Sequence, residues 1–328
     1  MNSRQRHSFS FFLLFSILFL TASAASPAVA TPRSPQTPAT PTSELQSRAE
    51  SGDAGAQYRL AKSILDHNPS PEDIQAALKW LRASASQNNS NAALYLGYLY
   101  EHGQFVSQDY RLAFQNYQIA ARQHFAAAEN NLATLYQRGQ GVAKNEGKAV
   151  ELYAASAQHG DPVGQLNLAS LYYTGHDIPR NYDEAVRWLR LASDAHLPEA
   201  QNCLAYFYFN GISVQRDYTE AARLVRLAAA KGLPSAETNL GFLYEQGKGV
   251  PLDYVAAYSW YSRAIAGGDS NGSENRKLLA RIMTRKQLDE ANSLVTASSS
   301  HPAVPAFPAL LPPVVPSPDG FSLLKVQH

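Results

Sequence analysis

The 328-residue chain has one cysteine and almost no net charge, and both shortages restrict its class. A single thiol, Cys203, cannot form an intramolecular disulfide or a thiolate metal cage, so a disulfide-stapled scaffold and a zinc module are excluded. The 28 Lys and Arg side chains are balanced by 27 Asp and Glu, for a formal charge of +1. This balance lacks the positive field of a dedicated nucleic-acid binder, so we expect no nucleic-acid partner.

Motifs for catalysis and for cofactors are also missing. The sequence contains no G-x-S-x-G, H-E-x-x-H, P-loop or dinucleotide fingerprint. Among the nine histidines, His124 and His196 are 72 residues apart and His159 precedes a glycine. Helical layers two repeats apart are separated by roughly 20 Å, whereas a histidine–metal bond is about 2 Å long. We therefore predict that the histidines cap helix ends, and we expect no catalytic residues, no metal and no cofactor.

The N-terminus is typical of a secretory signal peptide over residues 1–30. Arg4 and Arg6 precede an apolar stretch from Phe9 to Leu20, and A-x-A cleavage patterns follow at 22–24 and 28–30. As a helix the stretch would extend about 18 Å, against a hydrocarbon core of about 30 Å. We therefore expect export to the periplasm or secretion, with no membrane span once the signal is removed.

Two proline-rich segments flank the middle of the chain. Residues 31–43 contain four prolines and favour an extended linker. Residues 297–328 contain seven and favour a disordered tail, whose Leu and Val content also suits a short peptide ligand for a partner.

Between these segments the sequence repeats with a period of 36 residues. The period aligns six leucines, five tyrosines and six alanines without an insertion: Leu60, Leu96, Leu132, Leu168, Leu204 and Leu240; Tyr100, Tyr136, Tyr172, Tyr208 and Tyr244; Ala77, Ala113, Ala149, Ala185, Ala221 and Ala257. Such a period is the signature of a repeat architecture, in which each unit buries its apolar face only against its neighbours.

The fourth repeat shows that each unit encodes two helices. Residues 165–173 carry apolar side chains at helical spacing and predict a first helix, which we name helix A. Gly175 then occupies a position that suits a left-handed helix end. Asn181 and Glu184 form a capping-box pattern for helix B, which we expect to end near Ala195.

The capping pattern recurs elsewhere and defines the C-terminal boundary. Asp217 and Glu220 repeat it in the fifth unit, and Thr284 and Gln287 place it after the last repeat. There the sequence predicts two capping helices, over 274–283 and 284–295. The predicted fold is all-α: an α/α-solenoid with a right-handed superhelix, built from six 36-residue helix-turn-helix repeats plus C-terminal capping helices, over residues 44–296.

The best copies of the unit, Asn167–Ser193 and Asn239–Ile265, resemble the Sel1-like repeat, a relative of the tetratricopeptide repeat. The 36-residue length and the G-x-G-V turn at 139–142 and 247–250 distinguish it from the 34-residue tetratricopeptide unit. The first unit departs from the pattern, since His67 replaces the turn glycine.

The resemblance implies a non-enzymatic adaptor or scaffold, frequently bacterial and exported, that binds a protein or peptide on the inner face of the solenoid. A cysteine-rich exported subgroup is associated with β-lactam binding or hydrolysis. An enzyme-like protein that binds a β-lactam or cell-wall ligand is therefore the alternative, although this chain lacks the cysteine pairs of that subgroup.

Two sets of residues are candidates for partner binding. Asn131, Asn167 and Asn239 share one column of helix A, where a primary amide can pair with the backbone of an extended peptide. Bonding to backbone groups between adjacent helices is the alternative. The second set comprises aromatic side chains outside the core columns, which either form an exposed hot spot or pack between helices: Tyr173, Tyr206, Phe209 and Phe242. The neighbouring Phe207 falls in a leucine column and is assigned to the core.

Overall fold

The computed structural model describes residues 43–175 and 177–299, and every regular element in these ranges is an α-helix. The predicted signal peptide, nearly all of the linker and nearly all of the proline-rich tail lie outside the described residues. None of the described helices has the length and apolar character needed to cross a membrane. The described residues form two compact units, 43–181 and 182–299.

The first unit contains eight helices. They are α1 (Ser43–Glu50), α2 (Ala54–Leu65), α3 (Pro71–Ser86), α4 (Ser90–His102), α5 (Tyr110–Ala121), α6 (Ala126–Arg138), α7 (Glu146–Gln158) and α8 (Pro162–Thr174). Helices α2, α4, α6 and α8 are the A helices of repeats 1 to 4, and α3, α5 and α7 are the B helices of repeats 1 to 3. Within this unit, α4 and α6 each pack against the B helices before and after them, whereas α2 packs against α3 and α8 packs against α7.

The second unit contains seven helices. They are α9 (Tyr182–Asp194), α10 (Pro198–Asn210), α11 (Tyr218–Ala230), α12 (Pro234–Gln246), α13 (Tyr254–Ala266), α14 (Asn271–Ala280) and α15 (Arg285–Ser299). Helix α9 is the B helix of repeat 4, α10 to α13 form repeats 5 and 6, and α14 and α15 pack on α13 as the C-terminal cap.

The predicted core columns lie inside the helix pairs. The six leucines of the 36-residue column are only 1–4% exposed, and the six alanines opposite them are 0–2% exposed. Small alanines allow the helices to approach closely, and the leucines fill the space between them. The all-α fold with 36-residue helix pairs is confirmed.

The turn within each repeat follows from its glycine. Gly175 ends α8 in the left-handed conformation at φ 66°, and Gly211 does the same for α10 at φ 70°. A side chain with a Cβ would be strained there, which explains the glycine column. In the first repeat, where His67 replaces this glycine, α2 instead ends at Asp66 in the right-handed conformation.

The predicted N-cap of α11 is formed, with one correction. The Asp217 carboxylate accepts hydrogen bonds from the backbone N–H groups of Thr219 and Glu220. The reciprocal half of the predicted box is not made, because the Asp217 N–H donates to Tyr208 O at 2.9 Å and the Glu220 carboxylate binds Arg223. Asp217 is therefore a simple N-cap.

The C-terminal cap has different bounds from those predicted. Helix α14 begins three residues before Glu274 and ends at Ala280, and α15 continues past Val295 to Ser299. The capping box of Thr284 and Gln287 is formed in both directions, with bonds of 2.9 and 3.3 Å.

Candidate functional site

The asparagines predicted to line a peptide groove are buried. Asn131, Asn167 and Asn239 are 1, 0 and 3% exposed. Asn167 Nδ2 donates to Asn130 Oδ1 at 2.7 Å, and Asn239 Nδ2 donates to Asn202 Oδ1 at 2.9 Å. In both pairs the acceptor lies 37 residues earlier, on the A helix of the preceding repeat. These buried amides contradict the expectation of a column open to a peptide. They bond between adjacent helices, as in the alternative, but to asparagine side chains rather than to backbone groups.

The four candidate aromatics separate into two groups. Phe209 and Phe242 are buried with their ring centroids 6.0 Å apart, and Phe209 also meets Tyr218 at 5.0 Å. Tyr173 and Tyr206 are half-buried. Packing between helices therefore accounts for the two phenylalanines, and the two tyrosines are the more exposed pair. Phe207 is fully buried, as predicted.

The A helices of repeats 1 and 2 carry an aromatic surface that the sequence analysis did not single out. We name it the tyrosine face and define it as Tyr58 on α2 together with Tyr95 and Tyr98 on α4, all half-buried. The Tyr95 and Tyr98 rings are nearly parallel with centroids 6.5 Å apart, and Tyr98 stacks on His102 at 4.2 Å. The spacing of residues 95, 98 and 102 places them on one stripe of a helix, a signal that was available in the sequence.

The tyrosine face combines flat apolar rings with nearby charge. Lys62 Nζ lies 5.9 Å from the Tyr95 centroid and is paired with Asp66 at 2.7 Å. Burial raises the pKa values of Tyr58, Tyr95 and Tyr98 above the usual tyrosine value. The three phenols therefore remain neutral hydrogen-bonding groups at physiological pH.

A buried tyrosine on helix B pairs with a polar side chain on helix A in three repeats. The Tyr117 hydroxyl donates to Glu101 Oε2 at 2.6 Å, and the Tyr261 hydroxyl donates to Glu245 Oε2 at the same distance. In repeat 3 the Tyr153 hydroxyl donates to Gln137 Oε1 at 3.3 Å. Burial raises the pKa values of the two glutamates, and the tyrosine bond lowers them by a smaller amount. These pairs lie in the interior and serve packing.

Two histidines that the sequence analysis did not bring together, His124 and His159, lie beside a glutamate. His124, in the turn before α6, and His159, the C-cap of α7, have ring centroids 5.0 Å apart. Glu129 in the first turn of α6 lies between them, with Oε2 2.7 Å from His159 Nδ1 and Oε1 3.6 Å from His124 Nδ1. Both histidines do stand at helix ends, but the prediction that the histidines make no metal-competent group is wrong here, since the three ligand atoms lie within 4.8 Å of one another.

A shallow depression with a volume of about 460 Å³ lies on the surface of α9. Its lining includes Arg187, Arg190, Leu191 and Ser213. The Arg187 guanidinium is paired with Glu184 at 2.8 Å, and Arg190 donates to the Tyr208 hydroxyl at 3.3 Å. Glu184 therefore balances the charge of Arg187, whereas Arg190 keeps its charge because its partner, the Tyr208 hydroxyl, is neutral.

Cys203 lies in the middle of α10. Desolvation, with a smaller contribution from Glu199, raises the pKa of its thiol to about 12. The group stays protonated and is therefore a poor nucleophile.

Helix pairs that repeat every 36 residues and bury one shared apolar face define an α/α-repeat scaffold. The Sel1 repeat family model matches six consecutive segments, 54–89, 90–125, 126–161, 162–197, 198–233 and 234–269. The chain belongs to the Sel1 repeat family, whose solenoids generally serve as scaffolds for protein–protein interaction. The match includes the divergent first unit, which is thereby confirmed as a repeat.

Solved structures of Sel1-type proteins resemble this chain. The protein c5321, a protective antigen of uropathogenic Escherichia coli strains with an SLR fold, is 28% identical with a TM-score of 0.65, over 78% of this chain and 56% of its own length. A Sel1 repeat protein from Oxalobacter formigenes is 27% identical with a TM-score of 0.63, over 73% of this chain and 96% of its own. No curated protein matches the chain significantly.

Proposed function

We propose that this protein is an exported, non-enzymatic adaptor that binds a peptide or protein segment through the A helices of repeats 1 and 2. The observation that carries the proposal is the tyrosine face. It presents three half-buried rings on two neighbouring A helices, whereas the predicted asparagine column is buried.

The chemistry of the tyrosine face suits a partner with apolar or aromatic side chains. Tyrosine rings offer a large contact area at a low cost in conformational entropy and are enriched in binding hot spots. The stack of Tyr95, Tyr98 and His102 is held in place by its own helix, so little ordering is needed when a partner binds. Lys62 and Asp66 at its edge offer both charge signs to the partner's polar groups.

Export is the second part of the proposal, and the basic and apolar residues of the first 30 positions support it. The related Escherichia coli protein is a protective antigen, which suits an exported protein. Mass spectrometry of the protein from its producing cells is expected to find a new N-terminus at Ala25 or Thr31. An intact chain beginning at Met1 in the membrane fraction would contradict export.

Site-specific photocross-linking tests the binding face. A photoreactive phenylalanine analogue at Tyr98 is compared with the same analogue at Gln115, an exposed residue on helix B of the same repeat. We expect discrete cross-linked products from position 98 that disappear when Tyr95 is replaced by Ala. Equal yields from both positions would contradict the proposed face, and turnover of nitrocefin by the purified chain would contradict the non-enzymatic assignment.

A further inference from the structure

We infer that His124, Glu129 and His159 form a binding site for a divalent transition-metal ion, with Zn²⁺ as the best-matched species. The three residues come from the turn after α5, the first turn of α6 and the end of α7, so the site joins repeats 2 and 3. Each carboxylate oxygen of Glu129 faces one imidazole: Oε2 faces His159 and Oε1 faces His124.

The surroundings of Glu129 explain why a cation belongs here. Its side chain is buried, and a buried carboxylate is costly unless a positive charge compensates it. The equivalent residue of repeat 6, Glu237, meets this need with Arg263, whose guanidinium lies 3.0 Å away. Repeat 3 has Ala155 at the position of Arg263 and offers Glu129 two histidines instead.

The two arrangements differ chemically. A guanidinium is permanently charged, but an imidazole carries a positive charge only when it is protonated. Neutral imidazoles are metal ligands, so a bound metal ion would supply at neutral pH the charge that Arg263 supplies in repeat 6.

The distances between the three ligand atoms are close to those of a tetrahedral zinc site. Bonds of about 2.0–2.2 Å in a tetrahedral site separate the ligand atoms by roughly 3.3–3.5 Å. The ligand atoms here lie within 4.8 Å of one another, and the closest pair, His159 and Glu129, is 2.7 Å apart. The His124 side chain is 75% exposed and that of His159 is 38% exposed, so both rings can adjust by rotation about their side-chain bonds.

The fourth coordination position would face solvent, since both histidines are on the surface and only Glu129 is inside. Two imidazoles and one carboxylate with an open position are a ligand set that Zn²⁺ occupies in proteins. Such an ion would fasten the turn before α6 to the end of α7 and add stability at the junction of repeats 2 and 3.

The same positions elsewhere in the chain supply a matched control. His196 occupies the position of His124 two repeats later in the chain. At that junction Gln201 replaces Glu129 and Lys231 replaces His159, so the set of ligands is incomplete. His196 shares the left-handed backbone conformation of His124, with φ 62° against 57°. Replacement of His196 therefore perturbs the same kind of turn without removing a member of the proposed site.

The test uses the full chain without an affinity tag, freed of metal by a chelator and titrated with Co²⁺ and then Zn²⁺. We expect one equivalent of Co²⁺ to produce the visible absorption of a tetrahedral site, Zn²⁺ to displace it, and Zn²⁺ to raise the melting temperature. His124→Ala and Glu129→Gln should each weaken binding at least about tenfold, as loss of a ligand requires, while His196→Ala leaves it unchanged.

His124→Ala keeps the experiment decisive if Glu129→Gln folds poorly, because the His124 side chain is largely exposed and makes little packing contact. Absence of saturable Co²⁺ absorption in the unsubstituted chain would overturn the inference. Binding that survives His124→Ala, or that His196→Ala abolishes equally, would also overturn it.

Discussion

Repeats 2 and 5 share the same pair of helices, but at one set of positions the side chains between the helices are polar in repeat 2 and apolar in repeat 5. In repeat 2, Tyr117 on helix B bonds to the buried Glu101 on helix A, and Gly97 leaves room for the ring. At the equivalent positions repeat 5 carries Val225, Phe209 and Ala205, all buried and all apolar. Repeat 6 follows repeat 2, with Tyr261, Glu245 and Gly241.

The comparison shows that two columns change together, and that a third changes with them in repeats 2 and 6. A tyrosine on helix B accompanies a hydrogen-bond acceptor on helix A, and in repeats 2 and 6 it also accompanies a glycine where a Cβ would overlap the ring. In repeats 1 and 5, where helix B carries Leu81 or Val225, helix A carries the apolar Leu65 or Phe209 at this position. The polar interior is thus one of two packing solutions, and its buried carboxylates need no catalytic explanation.

The leucine column is common to both kinds of repeat, so emptying it should have the largest effect. Leu132→Ala and Leu168→Ala should each lower the free energy of unfolding by about 2–5 kcal/mol, because each removes a buried side chain and leaves a cavity. Chemical denaturation followed by circular dichroism measures this, with the exposed Leu252→Ala as control. If the two core variants have the same free energy of unfolding as the control, the leucine column is not the core of the repeats.

Gly97→Ala should break the polar arrangement of repeat 2. The new methyl group would overlap the Tyr117 ring, and overpacking costs about 1–3 kcal/mol, more than the gain of up to about 1 kcal/mol in helix propensity. The same change at the exposed Gly147 of α7 meets only ordinary contacts and should stabilise the chain slightly.

Replacement of all three residues in repeat 2 by those of repeat 1 should restore the stability that Gly97→Ala loses. The triple variant Gly97→Ala, Glu101→Leu and Tyr117→Leu installs the set found at Ala61, Leu65 and Leu81. Stability in the triple variant that is no better than in Gly97→Ala alone would show that the three columns are not coupled.

Glu101→Gln should have the smallest effect at neutral pH, within about 1 kcal/mol, because Gln137 already accepts the equivalent tyrosine bond in repeat 3. The pH dependence should change more clearly. Burial raises the pKa of Glu101, so the folded chain keeps its proton to a higher pH than the unfolded chain. The folded state therefore loses stability as pH rises from the ordinary value of 4.5 through the raised pKa.

Glu101→Gln removes this loss and should flatten the stability profile in that pH window. Urea unfolding at a series of pH values is the measurement, with the exposed Glu72→Gln as control. If the dependence of unfolding free energy on pH is the same with and without Glu101→Gln, the pKa of this carboxyl does not differ between the folded and unfolded chains.

Local chemistry made much of the fold predictable. The period, the glycine ends and the N-caps are encoded by residues close in sequence, so the helix pairs follow directly from the chain. The depth of a side chain between neighbouring helices is not encoded in this way. The asparagine column therefore indicates which side of helix A Asn167 occupies, but not that Asn130 of the preceding repeat encloses it.

The histidine cluster escaped prediction for a related reason. A comparison of residues at the same position in each repeat pairs His124 with His196, but the contact in the structure is with His159, one repeat and one position away. The Tyr–Glu pairs could have been found, since tyrosine and its acceptor are always 16 residues apart: Glu101 with Tyr117, Gln137 with Tyr153 and Glu245 with Tyr261.

The central claim of this account is that the asparagine column holds the repeats together while the tyrosine face remains available to a partner. The melting temperature of the Asn131→Ala, Asn167→Ala, Asn239→Ala triple variant tests it most directly. Loss of a buried amide that leaves partners unsatisfied costs about 1–3 kcal/mol, so the melting temperature should fall by more than about 5 °C. The claim would be contradicted by a triple variant that has the melting temperature of the unsubstituted protein and yet loses the cross-linked partner of position 98.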